Sequence, residues 1–323
     1  MRLQILVNHY REDQEIVNRF LQSVAGQTGV DHKTDYEVII GSDGLDNQLD
    51  RTFLDGFPFN IRYFAMPHKG TRAMRNTLLD MADADYLMFP DIDDCFTGTD
   101  GFSVLLKAAN EGNPDIVSVP FWAELKNDDG GGFHYVKYPN NCVWLEGNIF
   151  KREYLTANNI RFDEIANYGE LYFLWQAFHL TDNIRCLTDC FYTYKWNDKS
   201  VTREKPYFKI RNYGRVVESY SRLAQKLSET GRDDLRDELI CETVSNAYVS
   251  SHSGYWADAP KEYVTTANAA LAQYIREWRL VYEAVPERHR KNKYNETLLM
   301  KRTYGPPAGF KGIAAWMEAL TNE

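Results

Sequence analysis

Three aspartates within four consecutive positions, Asp91, Asp93 and Asp94, are the residues best placed to do chemistry. They follow the apolar run 86–89, so a buried strand would bring their carboxylates together where it leaves a sheet. Crowded carboxylates repel one another unless a cation or hydrogen bonds offset their charge. Oxygen ligands favour Mg²⁺ or Mn²⁺, which complete their coordination with water and substrate phosphates. The pattern indicates a diphosphate-binding metal site, with helix-capping or turn aspartates as the alternative.

Strand and helix patterns alternate through the first part of the chain. The predicted strands are 3–7, 36–40, 61–65 and 86–89, and a helix is predicted at 71–82. This order is typical of an α/β domain with a Rossmann-like, mostly parallel mixed sheet flanked by helices. Ligands bind beyond the carboxyl ends of such strands. Asp43 and the acidic run 91–94 both follow a predicted strand, which places them on the ligand side.

The pattern changes towards the carboxyl half. Further elements are predicted as strands at 116–119, 143–145 and 191–194, a loop or hairpin tip at 126–132 and a helix at 171–179. From residue 206 onwards apolar residues recur at helical spacing, with one helix predicted at 235–249. We therefore predict two regions, an α/β domain over 1–205 and an α-helical region over 206–323 that contributes to an acceptor site, to homo-oligomerisation or to docking.

Composition and charge disfavour a nucleic-acid-binding protein and a protein that spans a membrane. Lys and Arg number 37 and Asp and Glu number 46, which gives a formal net charge of −9. This balance disfavours nucleic acid as a partner, because a phosphate backbone attracts basic surfaces. The five cysteines lack metal-ligand spacing, and no apolar run approaches the ~20 residues that a membrane span needs. We expect a cytoplasmic protein with reduced thiols, whose membrane association would be peripheral, at the inner face.

The stretch 70–94 resembles the central signature of family 2 glycosyltransferases with the GT-A fold. Gly70, Arg75 and Asn76 fall on the part of that signature that ends in Ala-Arg-Asn, and 91–94 falls on its acidic DxDD end. The likeness extends over roughly the first 205 residues through the strings LQILVNHYRED, FLQSVAGQT, EVIIGSDG, VWLEGNIFKREYLTANNIRFDE and FYTYKWNDKSVT. The helical remainder lies outside it.

The resemblance implies a metal-dependent enzyme that moves a sugar from a nucleotide diphosphate donor, a UDP-sugar, to an acceptor hydroxyl with inversion. The cofactor would be Mn²⁺ or Mg²⁺, held by Asp91 and Asp93. Asp91 would also contact the ribose or bridge to the metal through water, and Asp94 would face the donor sugar or the acceptor as a catalytic residue. The acceptor would be a carbohydrate or another molecule with a hydroxyl group.

Three more residues are expected to contact the nucleotide. By the resemblance, Asp43 would meet the base or the ribose, and His9 follows the first strand at a nucleotide-edge position, with local packing as its alternative. The guanidinium of Arg75 suits a diphosphate, because its fork of donors matches those oxygens. The alternative for Arg75 is an ion pair that orients Asp91 or Asp93.

The chain departs from the family pattern where the catalytic base is expected. The family has Glu-Asp after a Gly, with the Asp as base, whereas this sequence has Gly169, Glu170 and Leu171. An acceptor hydroxyl needs a group that takes its proton in the transition state. We predict Glu170 as that base and Glu146 as the second candidate. The alternative for Glu170 is an acid in the first turn of a helix, where the helix dipole favours it.

Two other functions remain as alternatives. The missing Asp after Glu170 is consistent with a catalytically degenerate protein that binds carbohydrate or a partner. A nucleotidyltransferase of related architecture would use the same acidic pair, but the sequence has no Gly-rich, Lys-bearing phosphate loop near its start.

The chain departs from the family pattern a second time at Met74, which occupies the position before Arg75 where the family has a small residue. The larger side chain at this position must be accommodated by its neighbours, so the local packing is expected to differ from the family pattern.

Overall fold

The computed structural model of the chain describes residues 2–46, 48–128, 130–140, 144–164, 169–198, 207–300 and 309–322. The chain divides into two compact units, Met1–Glu164 with Phe173–Asp198, and Ile165–Tyr172 with Lys199–Glu323. The predicted boundary between residues 205 and 206 lies outside the described residues, and it stays a prediction.

A mixed sheet forms the centre of the first unit. Its strands are β1 (Leu3–His9), β2 (Tyr36–Asp43), β3 (Asn60–Met66), β4 (Tyr86–Met88), β6 (Ile116–Ser118), β9 (Ile149–Lys151) and β10 (Ile184–Cys186). Their order is β10-β6-β9-β4-β1-β2-β3, and only β9 runs antiparallel to its neighbours. We call this the large sheet. It confirms the predicted α/β class and the mostly parallel arrangement.

Helices cover both faces of the large sheet. The helices that begin in the first unit are α1 (Gln14–Ala25), α2 (Arg51–Leu54), α3 (Thr71–Met81), α4 (Gly101–Asn110) and α5 (Arg152–Ala157). Ile5 of β1 packs in one core cluster with α1 and α4, and Leu6 packs in a second cluster with α3 and α5. Because β1 is buried on both faces, its consecutive residues Ile5, Leu6 and Val7 are all apolar.

Met74 of α3, the larger residue at the position before Arg75, is accommodated by a glycine on the neighbouring strand. Its side chain is fully buried and lies over Gly41 of β2. A Cβ atom at residue 41 would come within 2.3 Å of the Met74 sulfur. The absent side chain at Gly41 therefore makes room for the bulky one at Met74.

A second, small sheet lies beside the end of β4. Its strands are β5 (Cys95–Phe96), β7 (Phe121–Lys126), β8 (Phe133–Tyr138) and β11 (Tyr192–Tyr194), in the order β5-β11-β7-β8. Strands β7 and β8 form the hairpin predicted around 126–132. The predicted strand at 143–145 is wrong for its described residues, Trp144 and Leu145. Their carbonyls accept hydrogen bonds from Asn148 in a turn instead of joining a sheet.

The second unit is helical, which confirms the prediction for the carboxyl-terminal region. After α6 (Gly169–His179), which continues into the first unit, its helices are α7 (Phe208–Arg211), α8 (Tyr213–Glu229), α9 (Asp233–Ser251), α10 (Gly254–Ala257), α11 (Lys261–Ala284), α12 (Glu287–Met300) and α13 (Gly312–Asn322). Helices α8, α9 and α11 pack against one another. Within the described ranges, no helix is both long enough and apolar enough to cross a bilayer.

Candidate active site

The acidic run follows β4 at the carboxyl edge of the large sheet. Strands β1 and β4 pair in parallel, and the pairing continues past β4 as an isolated bridge between Asn8 and Asp91. In the parallel pair of β1 with β2, His9 lies opposite Ser42. His9, Asp43 and residues 91–94 therefore share one edge of the sheet, as strand-end geometry predicts.

Arg75 of α3 is buried and contacts the first aspartate of the run. Its Nη2 donates to Oδ1 of Asp91 at 2.6 Å, and its guanidinium lies 5.5 Å from the centre of the Phe162 ring. The Arg75 side chain is 3% exposed, whereas that of Asp91 is 43% exposed. The ion pair therefore orients a carboxylate that remains open to solvent and to a ligand, and the diphosphate contact of Arg75 stays a prediction.

Asp93 is held by a residue from the chain beyond β11. The side-chain Nδ2 of Asn197 donates to Oδ2 of Asp93 at 2.8 Å. The guanidinium of Arg19 donates to the backbone oxygen of Asp93. Asn197 lies in the string FYTYKWNDKSVT, which carries the family resemblance, but the sequence suggested no role for it.

Asp94 differs from its neighbours because its side chain is completely buried. Its Oδ2 accepts from the Tyr192 hydroxyl at 2.7 Å, and its Oδ1 accepts from the backbone N–H of Lys195 at 2.7 Å. Tyr192 in turn accepts from the backbone N–H of Asp91 at 3.1 Å. Burial, reinforced by the charges of Asp91 and Asp93, raises the pKa of Asp94 well above its usual range. These contacts favour a positioning role, and direct contact with substrate stays a prediction.

We expect Asp94→Ala to lower the free energy of unfolding by about 2–4 kcal/mol at low pH, where the Asp94 carboxyl is neutral and its removal relieves no charge repulsion. The substitution would leave two buried donors, the Tyr192 hydroxyl and the Lys195 amide, without their acceptor. Urea denaturation measures the loss, with Asp55→Ala as a control at an exposed aspartate. Equal stability of the Asp94 and Asp55 variants would contradict this account.

His9 is buried with both ring nitrogens engaged. Its Nδ1 lies 3.0 Å from the Ser42 hydroxyl and its Nε2 lies 3.1 Å from the backbone oxygen of Glu12. Burial lowers the pKa of His9, so the ring is neutral at physiological pH. These contacts match the packing alternative for His9, and its contact with a nucleotide stays a prediction.

Asp43 is also buried, and it binds the turn that leads into α3. Its carboxylate accepts from the backbone N–H groups of Lys69 at 2.7 Å and Gly70 at 2.9 Å, and the His68 ring lies 3.0 Å away. Gly70 has a φ of 95°, which favours glycine. The His68 ring stacks on Tyr10 with centroids 4.4 Å apart. Asp43 thus fixes the turn before the helix that carries Arg75, and its nucleotide contact stays a prediction.

Glu12 is a further residue of the candidate site, which the sequence did not single out. It accepts from the backbone N–H of Tyr10 at 2.5 Å. Burial, together with the charges of Asp93 and Asp91, raises its pKa to about 7. Glu12 follows the carboxyl end of β1 by three residues, so the strand-end rule that selected the acidic run could have found it.

We expect Glu12→Gln to stabilise the metal-free protein more at pH 8 than at pH 5. The folded protein keeps the Glu12 proton up to about pH 7, whereas the ordinary pKa is 4.5. The unfolded chain binds fewer protons between these values, so stability falls as pH rises through that window. The expected difference between the two pH values is about 2 kcal/mol. Thermal unfolding in EDTA measures it, and an equal effect at both pH values would contradict the assignment.

Asn76 binds the segment that precedes the predicted base. Its Nδ2 donates to the backbone oxygen of Phe162 at 3.0 Å and to Oε1 of Glu164 at 2.8 Å, and its Oδ1 accepts from the Phe162 N–H at 3.0 Å. Asn76 therefore links α3 to residues 162–164 through three side-chain hydrogen bonds. The sequence singled it out only as part of the motif.

The two candidate bases lie in different units. Glu170 is in the first turn of α6, residues 165–168 before it lie outside the described residues, and its assignment as the base stays a prediction. Glu146 belongs to the first unit. Burial raises the pKa of Tyr192 well above its usual range, and the charges of Asp94, Asp91 and Glu146 add to that shift. Glu146 precedes Gly147, whose φ of 74° and close approach to Val119 require a glycine.

Comparison with known families identifies the class of enzyme. A sequence profile described as "Glycosyl transferase family 2" matches residues 4–167, just over half of the chain. The chain therefore belongs to glycosyl transferase family 2, and it is a nucleotide-sugar glycosyltransferase. No curated protein sequence matches it.

Solved structures share the fold at low sequence identity. TarS 1–349 of S. aureus in complex with UDP-GlcNAc has a TM-score of 0.66 and 17% identity, over 94% of this chain and 92% of that chain. The TarS 1–349 crystal structure has a TM-score of 0.64 and 17% identity, over 94% and 91%. The mannosyltransferase PcManGT of Pyrobaculum calidifontis, in complex with GDP-Man and Mn²⁺, has a TM-score of 0.50 and 15% identity, over 99% and 85%. The fold is GT-A, as the resemblance implied.

Proposed function

We propose that this glycosyltransferase transfers a sugar from a UDP-sugar to an acceptor hydroxyl, with a divalent ion at Asp91 and Asp93 and with inversion at the anomeric carbon. The observation that carries the proposal is the pair of oriented carboxylates after β4. Asp91 is held by Arg75, and Asp93 is held by Asn197. A structure similar in fold, TarS, is in complex with UDP-GlcNAc, which supports UDP as the nucleotide.

The carboxylates present fit a metal that is shared with the donor. Among the described residues, no group of three or more His, Cys, Asp and Glu side chains is arranged to enclose an ion. Mg²⁺ and Mn²⁺ commonly bind through one or two carboxylates and take their other ligands from water and phosphate oxygens. Asp91 and Asp93 suit that mode. The similar-fold PcManGT is in complex with GDP-Man and Mn²⁺, which supports a divalent cofactor.

The chain's own residues prepare the site for departure of the diphosphate. A bound ion would neutralise the negative charge that develops on the leaving group. Arg75 and Asn197 fix the directions of the two carboxylates. Asp94, through Tyr192 and Lys195, ties the acidic run to β11. The site is therefore organised before the donor binds, which reduces the reorganisation needed in the transition state.

Inversion follows from a single displacement at the anomeric carbon. Such a displacement needs a base on the acceptor side and no nucleophile from the enzyme. In our proposal Glu170 takes the proton of the acceptor hydroxyl, and Glu146 is the second candidate. The anomeric configuration of the product, read by NMR against that of the donor, tests this part. Retention would contradict it.

Calorimetric titration of UDP tests the donor and the metal together. We expect UDP to bind in Mn²⁺, and its affinity to fall by at least about tenfold in EDTA and in Asp93→Ala. Asp55→Ala, at an exposed aspartate, is the matched control and should bind UDP like the wild type. GDP and dTDP titrated in parallel should bind more weakly. Equal binding of UDP with and without EDTA would contradict the metal site.

A further inference from the structure

One side of the small sheet carries exposed aromatic side chains next to two charged side chains, Glu124 and Lys195, that are largely buried. Side chains alternate along a strand, and Phe121 and Ala123 of β7 point into the core cluster of the first unit. The opposite side carries a set of residues that we call the platform face. Its members are Trp122, Glu124 and Lys126 of β7, Phe133, Tyr135 and Lys137 of β8, and Lys195 just after β11.

Tyr135 is exposed and yet held in place. Its side chain is 54% exposed, although large aromatic side chains usually lie in the core. Its hydroxyl donates to Oε1 of Glu124 at 3.4 Å, and the Lys195 Nζ lies 5.8 Å from the centre of its ring. Phe133, two residues earlier on the same side of β8, is 49% exposed. The contacts of Tyr135 with Glu124 and Lys195 restrict the exposed ring, which reduces the freedom it loses when a ligand stacks on it.

A continuous set of contacts connects this ring to the acidic run. The backbone N–H of Lys195 donates to Oδ1 of Asp94 at 2.7 Å. The ammonium of Lys195 forms an ion pair with Glu124, which lies opposite Tyr135 in the β7–β8 register. The path from Asp94 through Lys195 and Glu124 to Tyr135 lies within the first unit. These contacts connect the platform face to the acidic run of the proposed metal site.

We propose that the platform face binds a saccharide ring of the acceptor, which stacks on Tyr135 while its hydroxyls contact Lys195. A sugar has an apolar C–H face and a polar edge, and aromatic rings bordered by polar groups match both. Glu124 pairs with Lys195, and Asp198 pairs with Lys126. That this sugar belongs to the acceptor rests on the proposed function, whereas the binding itself does not.

Saturation-transfer NMR with free sugars tests the proposal without donor or turnover. The probes are the methyl glycosides of glucose, galactose and N-acetylglucosamine, added to the wild-type full chain. We expect saturation of ring C–H protons in at least one probe, and binding about tenfold weaker in Tyr135→Ala. Tyr135→Phe keeps the ring and should retain binding. Val136→Ala, on the opposite side of β8, is the matched control.

Three results would overturn the proposal. They are no saturation of any probe by the wild type, equal saturation by Tyr135→Ala, and a wild-type dimer that Tyr135→Ala converts to a monomer. The last result, measured by analytical ultracentrifugation, would mean that a second copy of the chain covers the face. Failure of UDP binding with saccharide saturation intact would instead contradict the proposed function and leave the platform face standing.

Discussion

Asp93→Asn is expected to slow cleavage of the sugar-nucleotide bond by about 10²–10³-fold. Asparagine keeps the shape of the side chain and its contact with Asn197, but it removes the negative charge that would hold a divalent ion. The diphosphate would then leave without its neutralising partner. Release of UDP from the donor, measured at saturating Mn²⁺ with and without acceptor, gives the rate.

Two variants separate loss of the proposed metal ligand from other effects. Asp55→Asn changes an exposed aspartate of the same unit and should keep the wild-type rate. Asn197→Ala removes the side chain that orients Asp93 and should fall between the wild type and Asp93→Asn. Wild-type activity in Asp93→Asn would show that Asp93 is not a metal ligand.

Glu170→Gln is expected to lower the rate of transfer to the acceptor by about 10²–10⁴-fold while the affinity for UDP changes little. Glutamine is close to glutamate in size but cannot take the proton of the acceptor hydroxyl. The base acts only when the acceptor is attacked, so the binding of the nucleotide should be spared. Initial rates of transfer and calorimetric binding of UDP, measured on the same preparations, give the two quantities.

Variants at Glu146, the second candidate base, and at an exposed glutamate show whether the loss is specific to Glu170. Glu146→Gln should retain transfer if Glu170 is the base, and Glu153→Gln, at an exposed position of α5, controls for the chemical change itself. Full transfer activity in Glu170→Gln together with its loss in Glu146→Gln would reassign the base to the first unit.

Much of the architecture could be predicted because it depends on local patterns. The alternation of apolar runs and helical spacing predicted β1, β2, β3 and α3, and each ends within three residues of its predicted end. Strand-end geometry then placed the acidic run and Asp43 on one edge of the sheet. The strand predicted at 143–145 failed because a turn around Gly147 uses the carbonyls of Trp144 and Leu145.

The roles of individual site residues were harder to predict because their partners are distant in the chain. Tyr192 binds Asp94, and Asn197 binds Asp93, across about a hundred intervening residues. Three neighbouring aspartates look alike in sequence, yet Asp91 is open to solvent and Asp94 is completely buried. The pairing of β11 with β5 and β7 places Tyr192 beside Asp94, and the sequence does not show this pairing.

UDP release from a panel of UDP-sugars in Mn²⁺ is the most direct test of the central claim, that residues 91–94 form a metal-dependent sugar-transfer site. Slow hydrolysis of the donor needs no knowledge of the acceptor. We predict release from one sugar of the panel, and its loss in EDTA and in Asp93→Ala. Release that persists unchanged in EDTA and in Asp93→Ala would contradict the claim.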